Sequence, residues 1–276
     1  MGIKEAILAT TPTSYWPLDD ASDTACHDER GLHEASLGGG VKLAAVPFGQ
    51  ASAPYFDGEI GSYLTIVDDE RYSQPHANAL SVAAWICPLT LNNTHTAGGS
   101  GNDQYAHFME KSIDTTKDVE WAMRFYNKSN PSRHSRLSFY TFNTRLHAGE
   151  GNGSYMEYGK SANDVTPIEL GKWIFVVGQA EQWNELPGGS YQGGDIFWKQ
   201  DVQAARSPGD QYETYKVHPT HGPGPLRIGG VASIAYKGSV AHVAIWNRLI
   251  SAADIKSIWN AGLGDLQATP MYHSFV

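Results

Sequence analysis

The sequence predicts an all-β fold, an antiparallel β-sandwich that ends in a short C-terminal helix. Glycine and proline are frequent, with 29 Gly and 14 Pro among 276 residues, as a fold with many turns requires. Short apolar segments recur along the chain and end beside turn residues. The segment from Leu137 to Phe142 alternates in the way that a strand with one buried face does. No linker separates two parts of the chain, so we predict one domain over residues 1–276, with a core from about 14 to 262.

The predicted elements follow in chain order. Residues 1–10 favour a short helix that leads to the first strand. The predicted strands are Tyr15–Leu18, Ala53–Phe56, Tyr63–Ile66, Leu80–Ile86, Tyr105–Lys111, Trp121–Tyr126, Arg136–Tyr140, Trp173–Ala180, Asp195–Lys199, Leu226–Ile228 and Ser239–Trp246. Four long polar loops are predicted between them, at 92–103, 143–164, 182–194 and 205–224. Long loops on a rigid sandwich are common places for a binding site.

The last strand and the helix after it are predicted in more detail. Along the strand, Val240, His242, Ala244 and Trp246 should share one face, and the residues between them the other. Ser251 is the predicted N-cap of the helix, and Asp254, three residues later, completes a capping box. Gly262 is predicted to end the helix as the residue after its C-cap.

Five motifs resemble those of laminin-G-like and concanavalin-A-like domains, the jelly-roll lectin and glucanase superfamily. They are Ser14-Tyr-Trp-Pro-Leu-Asp-Asp20, Tyr55-Phe-Asp-Gly58, Trp85-Ile-Cys-Pro88, Gly171-Lys-Trp173 and the closing run from Tyr236 to Arg248 with its helix. The resemblance spans roughly residues 14–262 and implies the jelly-roll sandwich. It leaves the function open, because such folds host lectins, hydrolases, lyases and adhesion modules.

Charge and composition exclude some classes of binding partner. The net charge of −9 argues against nucleic acid and anionic membranes, since both attract a positive surface. No apolar stretch approaches 18 residues, so no membrane span is predicted. The first ten residues are not a convincing signal peptide. An extracellular or particle-surface location is nevertheless favoured, because the predicted partners are met there. Cys26 and Cys87 are the two cysteines, and the sequence leaves open whether they pair or whether Cys87 is a small core residue.

Catalytic motifs of the superfamily do not match this sequence. The glucanase strand Glu-x-Asp-x-x-Glu has no counterpart, because Asp118 and Glu120 offer only one pair. The Arg-x-Glu-x-Arg and Gln-x-His strands of alginate-lyase-like sandwiches are missing too. His218 and His221 have the spacing of a metal pair, but Pro219 and Gly222 favour a plain turn.

A calcium site is implied by the resemblance. Related domains bind Ca²⁺ at the rim through carboxylate and backbone oxygens. Matching their motifs indicates Asp19 or Asp20 and Asp57 as ligands. The family's final-strand carboxylate has no counterpart between Gly238 and His242, where the sequence reads Gly-Ser-Val-Ala-His, and Asp57-Gly58 is equally compatible with a turn.

Aromatic residues in the long loops are the predicted ligand contacts. Carbohydrate binding needs flat rings for sugar faces and polar groups for hydroxyls. The candidates are Trp183, Tyr191, Tyr155 and Tyr158, with Asn152, Asn184 and Asp195 as polar partners. The other tryptophans lie in strand patterns or on the helix and are predicted to be core residues.

The sequence is compatible with three functions, which we rank by how well the residues support them. The leading prediction is non-catalytic recognition of a glycan by rim loops. The alternative is a structural or protein-interaction module, such as an adhesion or virion component. A polysaccharide-cleaving enzyme with an unfamiliar set of catalytic residues comes third.

Overall fold

The computed structural model describes residues 1–20, 24–94, 105–113, 119–127, 136–142, 151–156, 168–182, 184–186, 190–204, 220–231 and 234–268, and the statements below concern them. The helices are α1 (Ile3–Ala9), α2 (Gln74–Ala77) and α3 (Ala252–Gln267), with a 3₁₀ turn at Glu70–Tyr72. The strands are β1 (Ser14–Trp16), β2 (Ala25–Cys26), β3 (Ala35–Leu37), β4 (Lys42–Phe48), β5 (Ala51–Asp57), β6 (Leu64–Ile66), β7 (Leu80–Pro88), β8 (Tyr105–Lys111), β9 (Trp121–Tyr126), β10 (Leu137–Phe142), β11 (Gly151–Met156), β12 (Ile174–Ala180), β13 (Asn184–Leu186), β14 (Ser190–Gln192), β15 (Asp195–Lys199), β16 (Val202–Gln203), β17 (Leu226–Ile228), β18 (Gly230–Val231), β19 (Ile234–Ala235) and β20 (Lys237–Trp246).

Two antiparallel sheets form the sandwich. The first sheet has the order β16-β15-β12-β7-β20-β5-β4, and β1 also pairs with β20. The second has the order β11-β10-β9-β8-β17-β6-β3-β2. Two small hairpins, β13–β14 and β18–β19, complete the described strands. The predicted antiparallel β-sandwich with a C-terminal helix is confirmed.

Side chains from both sheets meet in the main core. Ile86 and Val240 from the first sheet lie there with Phe108, Phe125 and Phe139 from the second, all of them fully buried. A second core lies on the other face of the first sheet. There the buried ring of Trp85 packs with Ile7 of α1 and Ile258 of α3. Because helices cover its outer face, the first sheet is apolar on both sides, which explains why every residue of β7 is buried.

A β-bulge in β20 corrects the predicted alternation of this strand. Val240 was predicted to share a face with Ala244 and Trp246. It lies instead in the main core with Val243 and Ile245, whereas Ala244 and Trp246 face the helices. The pairing of β20 with β7 shifts register between Ala241 and Ala244. His242 lies in the bulge with φ of 51°, a left-handed conformation that is uncommon for a residue with a side chain. The inserted residue exchanges the faces of the residues on either side of it.

The short helix before the first strand and the predicted start of α3 are confirmed, but the predicted end of α3 is wrong. A helix precedes the first strand, and Ser251 and Asp254 form the predicted capping box. The helix then runs on through Gly262 to Gln267. A Cβ on Gly262 would lie 2.3 Å from Cζ2 of Trp85. This glycine therefore lets α3 approach the sheet closely and does not end the helix.

Two of the predicted loops contain strands. The segment 143–164 includes β11, which pairs with β10, and the segment 182–194 includes the hairpin β13–β14. Both cysteines are free and buried. Cys87 is a core residue of β7, as one of the two alternatives predicted. No helix among the described segments is long and apolar enough to cross a membrane.

Candidate functional site

The outer face of the second sheet carries an unusual set of side chains. We call it the aromatic face and define it by Tyr105, His107, Arg124, Tyr126, Tyr140 and Phe142 of β8, β9 and β10. Cross-strand register brings them together, because Tyr105 is opposite Tyr126 and His107 is opposite Arg124. Directly opposed residues of an antiparallel pair share a face. Tyr105, Tyr140 and Phe142 are half-buried, so part of their rings is open to solvent.

Arg124 lies at the centre of the aromatic face. Its Cζ is 4.0 Å from the ring centroid of Tyr140 and 4.3 Å from that of Tyr105. Tyr126 and Phe142 lie slightly farther away, at 5.5 and 5.9 Å. The rings of Tyr140 and Phe142 are stacked, with centroids 6.2 Å apart and an interplanar angle of 26°. The guanidinium group is thus held between aromatic rings, an arrangement that cation–π attraction stabilises.

A polar network adjoins the guanidinium group. Nδ1 of His107 contacts Oε2 of Glu110, and the hydroxyl of Ser112 donates to the other oxygen of that carboxylate. Burial lowers the pKa of His107, against the opposing effect of Glu110. A neutral ring that donates from Nδ1 to the carboxylate leaves Nε2 as an acceptor, and Nε2 is buried without a partner. The aromatic face therefore combines partly exposed rings with a buried cation and a buried hydrogen-bonding atom that has no partner.

A second cluster of charged groups lies at the end of the main core. Nζ of the fully buried Lys111 is 2.5 Å from Oδ1 of Asp68 and 2.5 Å from Oε1 of Glu120. It also donates to the carbonyls of Gly222 and Gly224. Burial raises the pKa of Glu120, and the charge of Lys111 opposes that rise. The ammonium group occupies the position between carboxylates and carbonyls that a bound cation would take.

His221 borders this second cluster. Its Nδ1 is 2.8 Å from the hydroxyl of Ser73 and 3.4 Å from Oε1 of Glu120. Asp68, Glu120 and His221 form the one group of three metal-ligating side chains found among the described residues, with ligand atoms within 4.8 Å of one another. His221 was predicted to lie in a plain turn, and His218 lies outside the described residues. Because Lys111 already supplies a positive charge here, we interpret the cluster as an internal ion-pair network.

A cavity of about 260 Å³ lies where α1 and the end of α3 meet the first sheet. His242 lines it together with Phe48, Asp19 and Asp265. Nδ1 of His242 is 2.7 Å from the hydroxyl of Tyr15. Burial lowers the pKa of His242 to about 3, so the ring is neutral at neutral pH.

The predicted ligand contacts are distributed over several places. Asn184 is exposed on β13, in the hairpin beside the sandwich. Asn152 and Tyr155 are opposite Thr141 and Ser138 in the pairing of β11 with β10, and Tyr191 is opposite Glu185 in the hairpin. The structure does not describe the side chains of Asn152, Tyr155 and Tyr191. Trp183 and Tyr158 lie outside the described residues.

Asp195 is not available at the rim as predicted. It is fully buried on β15, and its carboxylate accepts hydrogen bonds from the amide and the hydroxyl of Thr141. This contact joins the two sheets, since β15 belongs to the first and β10 to the second. Asp195 is therefore a structural acceptor inside the sandwich.

The predicted calcium ligands lie in different settings. Asp19 is exposed and lines the cavity beside His242. Asp57 ends β5 opposite Lys237, and its Oδ1 accepts a hydrogen bond from the amide of Glu59, as in the turn considered from the sequence. Neither residue belongs to the group of three ligating side chains found in the described part of the chain. Calcium at Asp19 and Asp57 stays a prediction.

The aromatic face has a signal in the sequence, although the aromatic residues predicted to contact a ligand were those of the loops. Tyr105 and His107 are two residues apart, as are Arg124 and Tyr126, and Tyr140 and Phe142. A two-residue spacing on three consecutive strands places each pair on one face.

No protein-family model and no curated protein sequence matches this chain. Solved structures match its fold. The binding domain of botulinum neurotoxin serotype D has a TM-score of 0.61 and 13% identity, with 92% of this chain and 52% of that one covered. The ligand-binding domain of the same serotype in complex with N-acetylneuraminic acid has a TM-score of 0.60 and 12% identity, with the same coverage. A sialidase from Trypanosoma rangeli has a TM-score of 0.52 and 14% identity, with 91% of this chain and 32% of that one covered.

These similarities define the fold class. The chain spans about half the length of the neurotoxin domains and a third of the sialidase chain. At such low identities the likeness shows a shared β-sandwich and nothing of the ligand. The chain is therefore a β-sandwich domain similar in fold to toxin receptor-binding domains, and the laminin-G resemblance has no sequence match behind it.

Proposed function

We propose that this domain binds carbohydrate without cleaving it and that the aromatic face is its contact surface. The observation that carries the proposal is the half-buried stack of Tyr140 and Phe142 beside the guanidinium group of Arg124. Sugar rings have apolar faces that pack on aromatic rings, and their hydroxyls need fixed polar partners. Rings and polar groups both occur on this one surface.

The strand next to this face places glycines opposite the two rings. In the pairing of β11 with β10, Gly153 is opposite Tyr140 and Gly151 is opposite Phe142. A glycine opposite an aromatic residue brings no side chain that would cover the ring. Tyr155 occupies the register position opposite Ser138, so the predicted contact of β11 belongs to the strand that borders the aromatic face.

The comparisons support the same kind of ligand in general terms. Among the structures of similar fold, one neurotoxin domain is in complex with N-acetylneuraminic acid and the sialidase is bound to a difluoro sugar acid. Those ligands belong to those proteins. For this chain we propose a glycan partner and a location at an extracellular or particle surface, where such a partner is met.

A glycan array tests the proposal directly. The purified chain is applied once with calcium and once with a chelator. Binding to any glycan supports the proposal, and binding lost in chelator would support calcium at Asp19 and Asp57 as well. No binding in either condition would refute glycan recognition and favour the protein-interaction module. Shortened chains after incubation with the bound polysaccharide would show that the domain is an enzyme.

A further inference from the structure

The electrostatic setting of Arg124 carries an inference about the kind of glycan. Arg124 is on β9, between β8 and β10, and only 6% of its surface is exposed. Tyr105 and Tyr140 lie within 4.3 and 4.0 Å of its Cζ. With two rings this close to the guanidinium group, we expect a ligand to contact it through the N–H groups at its edge.

No carboxylate neutralises Arg124 among the described residues. The ion pairs of the described chain do not include this side chain, and its Nε is buried without a hydrogen-bond partner. Its hydrogen-bond partners are neutral: Nη2 lies 3.5 Å from the hydroxyl of Tyr126, and the side chain also hydrogen-bonds to Tyr140. Glu110 is the acidic residue of the neighbouring network, but His107 and Ser112 occupy its two oxygens.

A buried charge without a counter-ion is costly. Transfer of an ionised group out of water is unfavourable unless the group is paired, and cation–π contacts offset only part of that cost. The edge of Arg124 thus lacks the anion that it is shaped to bind.

We propose that the aromatic face selects acidic glycans and that Arg124 binds the sugar carboxylate. This inference rests on the proposed glycan-binding function and names its ligand class. A carboxylate fits the guanidinium edge with two parallel hydrogen bonds, an arrangement that is stronger than a neutral pair. The stacked rings of Tyr140 and Phe142 lie beside the guanidinium, within reach of the ring that carries the carboxylate.

The test compares acidic oligosaccharides with their own methyl esters. Uronic-acid and sialic-acid oligosaccharides are assayed beside esterified forms that differ only in the lost charge. We expect binding to the acids to be roughly tenfold tighter, because charge-assisted hydrogen bonds are stronger than neutral ones. Added salt should weaken binding to the acids and leave the esters unaffected.

Variants assign the preference to one residue. Arg124→Gln should bind acid and ester alike, whereas Arg124→Lys should keep part of the preference because it retains the charge between the tyrosines. Lys256→Gln is the matched control: it removes one positive charge from α3, where the lysine is 63% exposed. It should behave like the wild type.

The outcomes separate the two proposals. Equal binding of acids and esters by the wild type overturns the selection of acidic glycans and leaves glycan binding in place. Binding of neither form, together with an empty glycan array, overturns glycan binding and this inference with it. A preference for acids that survives in a folded Arg124→Gln variant overturns the role of Arg124.

Discussion

At the scale of single residues, His242 shows how one inserted residue changes the chemistry of a strand. The bulge of β20 places its ring against Phe48, at 4.6 Å between ring centroids, and within hydrogen-bonding distance of Tyr15. Burial lowers its pKa to about 3, and the nearby charge of Lys4 adds to the effect. The histidine is therefore kept neutral over a range of pH in which a free histidine is protonated.

This shift predicts a pH dependence of the free energy of unfolding. The unfolded chain binds a proton at His242 near pH 6.5 and the folded chain only near pH 3, so stability falls as the pH falls through that window. The slope is at most about 1.4 kcal/mol per pH unit. Urea unfolding at several pH values should show a steeper loss for the wild type than for His242→Asn, because asparagine tolerates the left-handed backbone. Equal slopes in the two proteins would contradict the account.

At the scale of elements, α3 illustrates why a glycine can be required inside a helix. Gly262 faces the indole ring of Trp85, and a Cβ there would also lie 3.1 Å from Cδ1 of Ile3. Gly264, two residues later in the same helix, has no heavy atom within 4 Å of its Cβ position. A side chain at Gly262 would therefore clash with the sheet, whereas a side chain at Gly264 of the same helix would not.

The pair predicts opposite effects of the same substitution. Gly262→Ala should destabilise the protein by about 1–3 kcal/mol, as overpacking of a core does. Gly264→Ala should be neutral or stabilise it by up to about 1 kcal/mol, because alanine favours helix. Thermal unfolding of both variants measures the difference. If Gly262→Ala were as stable as Gly264→Ala, the close approach of α3 to Trp85 would be refuted.

Local patterns predicted many elements and failed where tertiary contacts decide. The bounds of β8, β9, β15 and β17 agree with the sequence prediction because turn residues enclose each apolar run. The end of α3 was missed because Gly262 matches a helix stop, and only contact with Trp85 reveals its other role. The bulge at His242 was missed because an inserted residue leaves the apolar run intact.

The site was less predictable than the fold. Alternation alone places Arg124 with Tyr126 on one face, but it does not show which neighbouring strands lie beside β9 or in what register. Asp195 follows the loop 182–194 in the sequence and was therefore predicted to be a polar ligand contact. Its partner Thr141 comes from the opposite sheet, a contact that no local pattern could indicate.

At the scale of the whole molecule, the two sheets have different surroundings. Helices α1 and α3 pack on the outer face of the first sheet and bury Trp85, Trp246 and their neighbours. The outer face of the second sheet carries the half-buried rings of the aromatic face instead. Within the described structure, Tyr105, Tyr140 and Phe142 on this face are partly exposed, and Arg124 lies buried beside them.

The free cysteines give a test of the whole fold. Cys26 is on β2 of the second sheet and Cys87 on β7 of the first, and burial raises the pKa of both thiols to about 12. The unfolding temperature should therefore be the same with and without reductant, and a thiol reagent should label both residues only after denaturant is added. A lower unfolding temperature in reductant would indicate a disulfide between the sheets and contradict the structure.

The aromatic face is the central claim, and the affinity of Tyr140→Ala for the tightest-binding glycan of the array tests it most directly. Tyr55→Ala, which removes a half-buried tyrosine from β5 of the first sheet, is the control. We expect binding at least fivefold weaker for Tyr140→Ala, since an aromatic contact of this kind is worth about 1 kcal/mol, or about fivefold in affinity, beyond the buried area. Tyr55→Ala should bind as the wild type does. Unchanged affinity in a folded Tyr140→Ala variant, or an equal loss in both, would show that the glycan binds elsewhere.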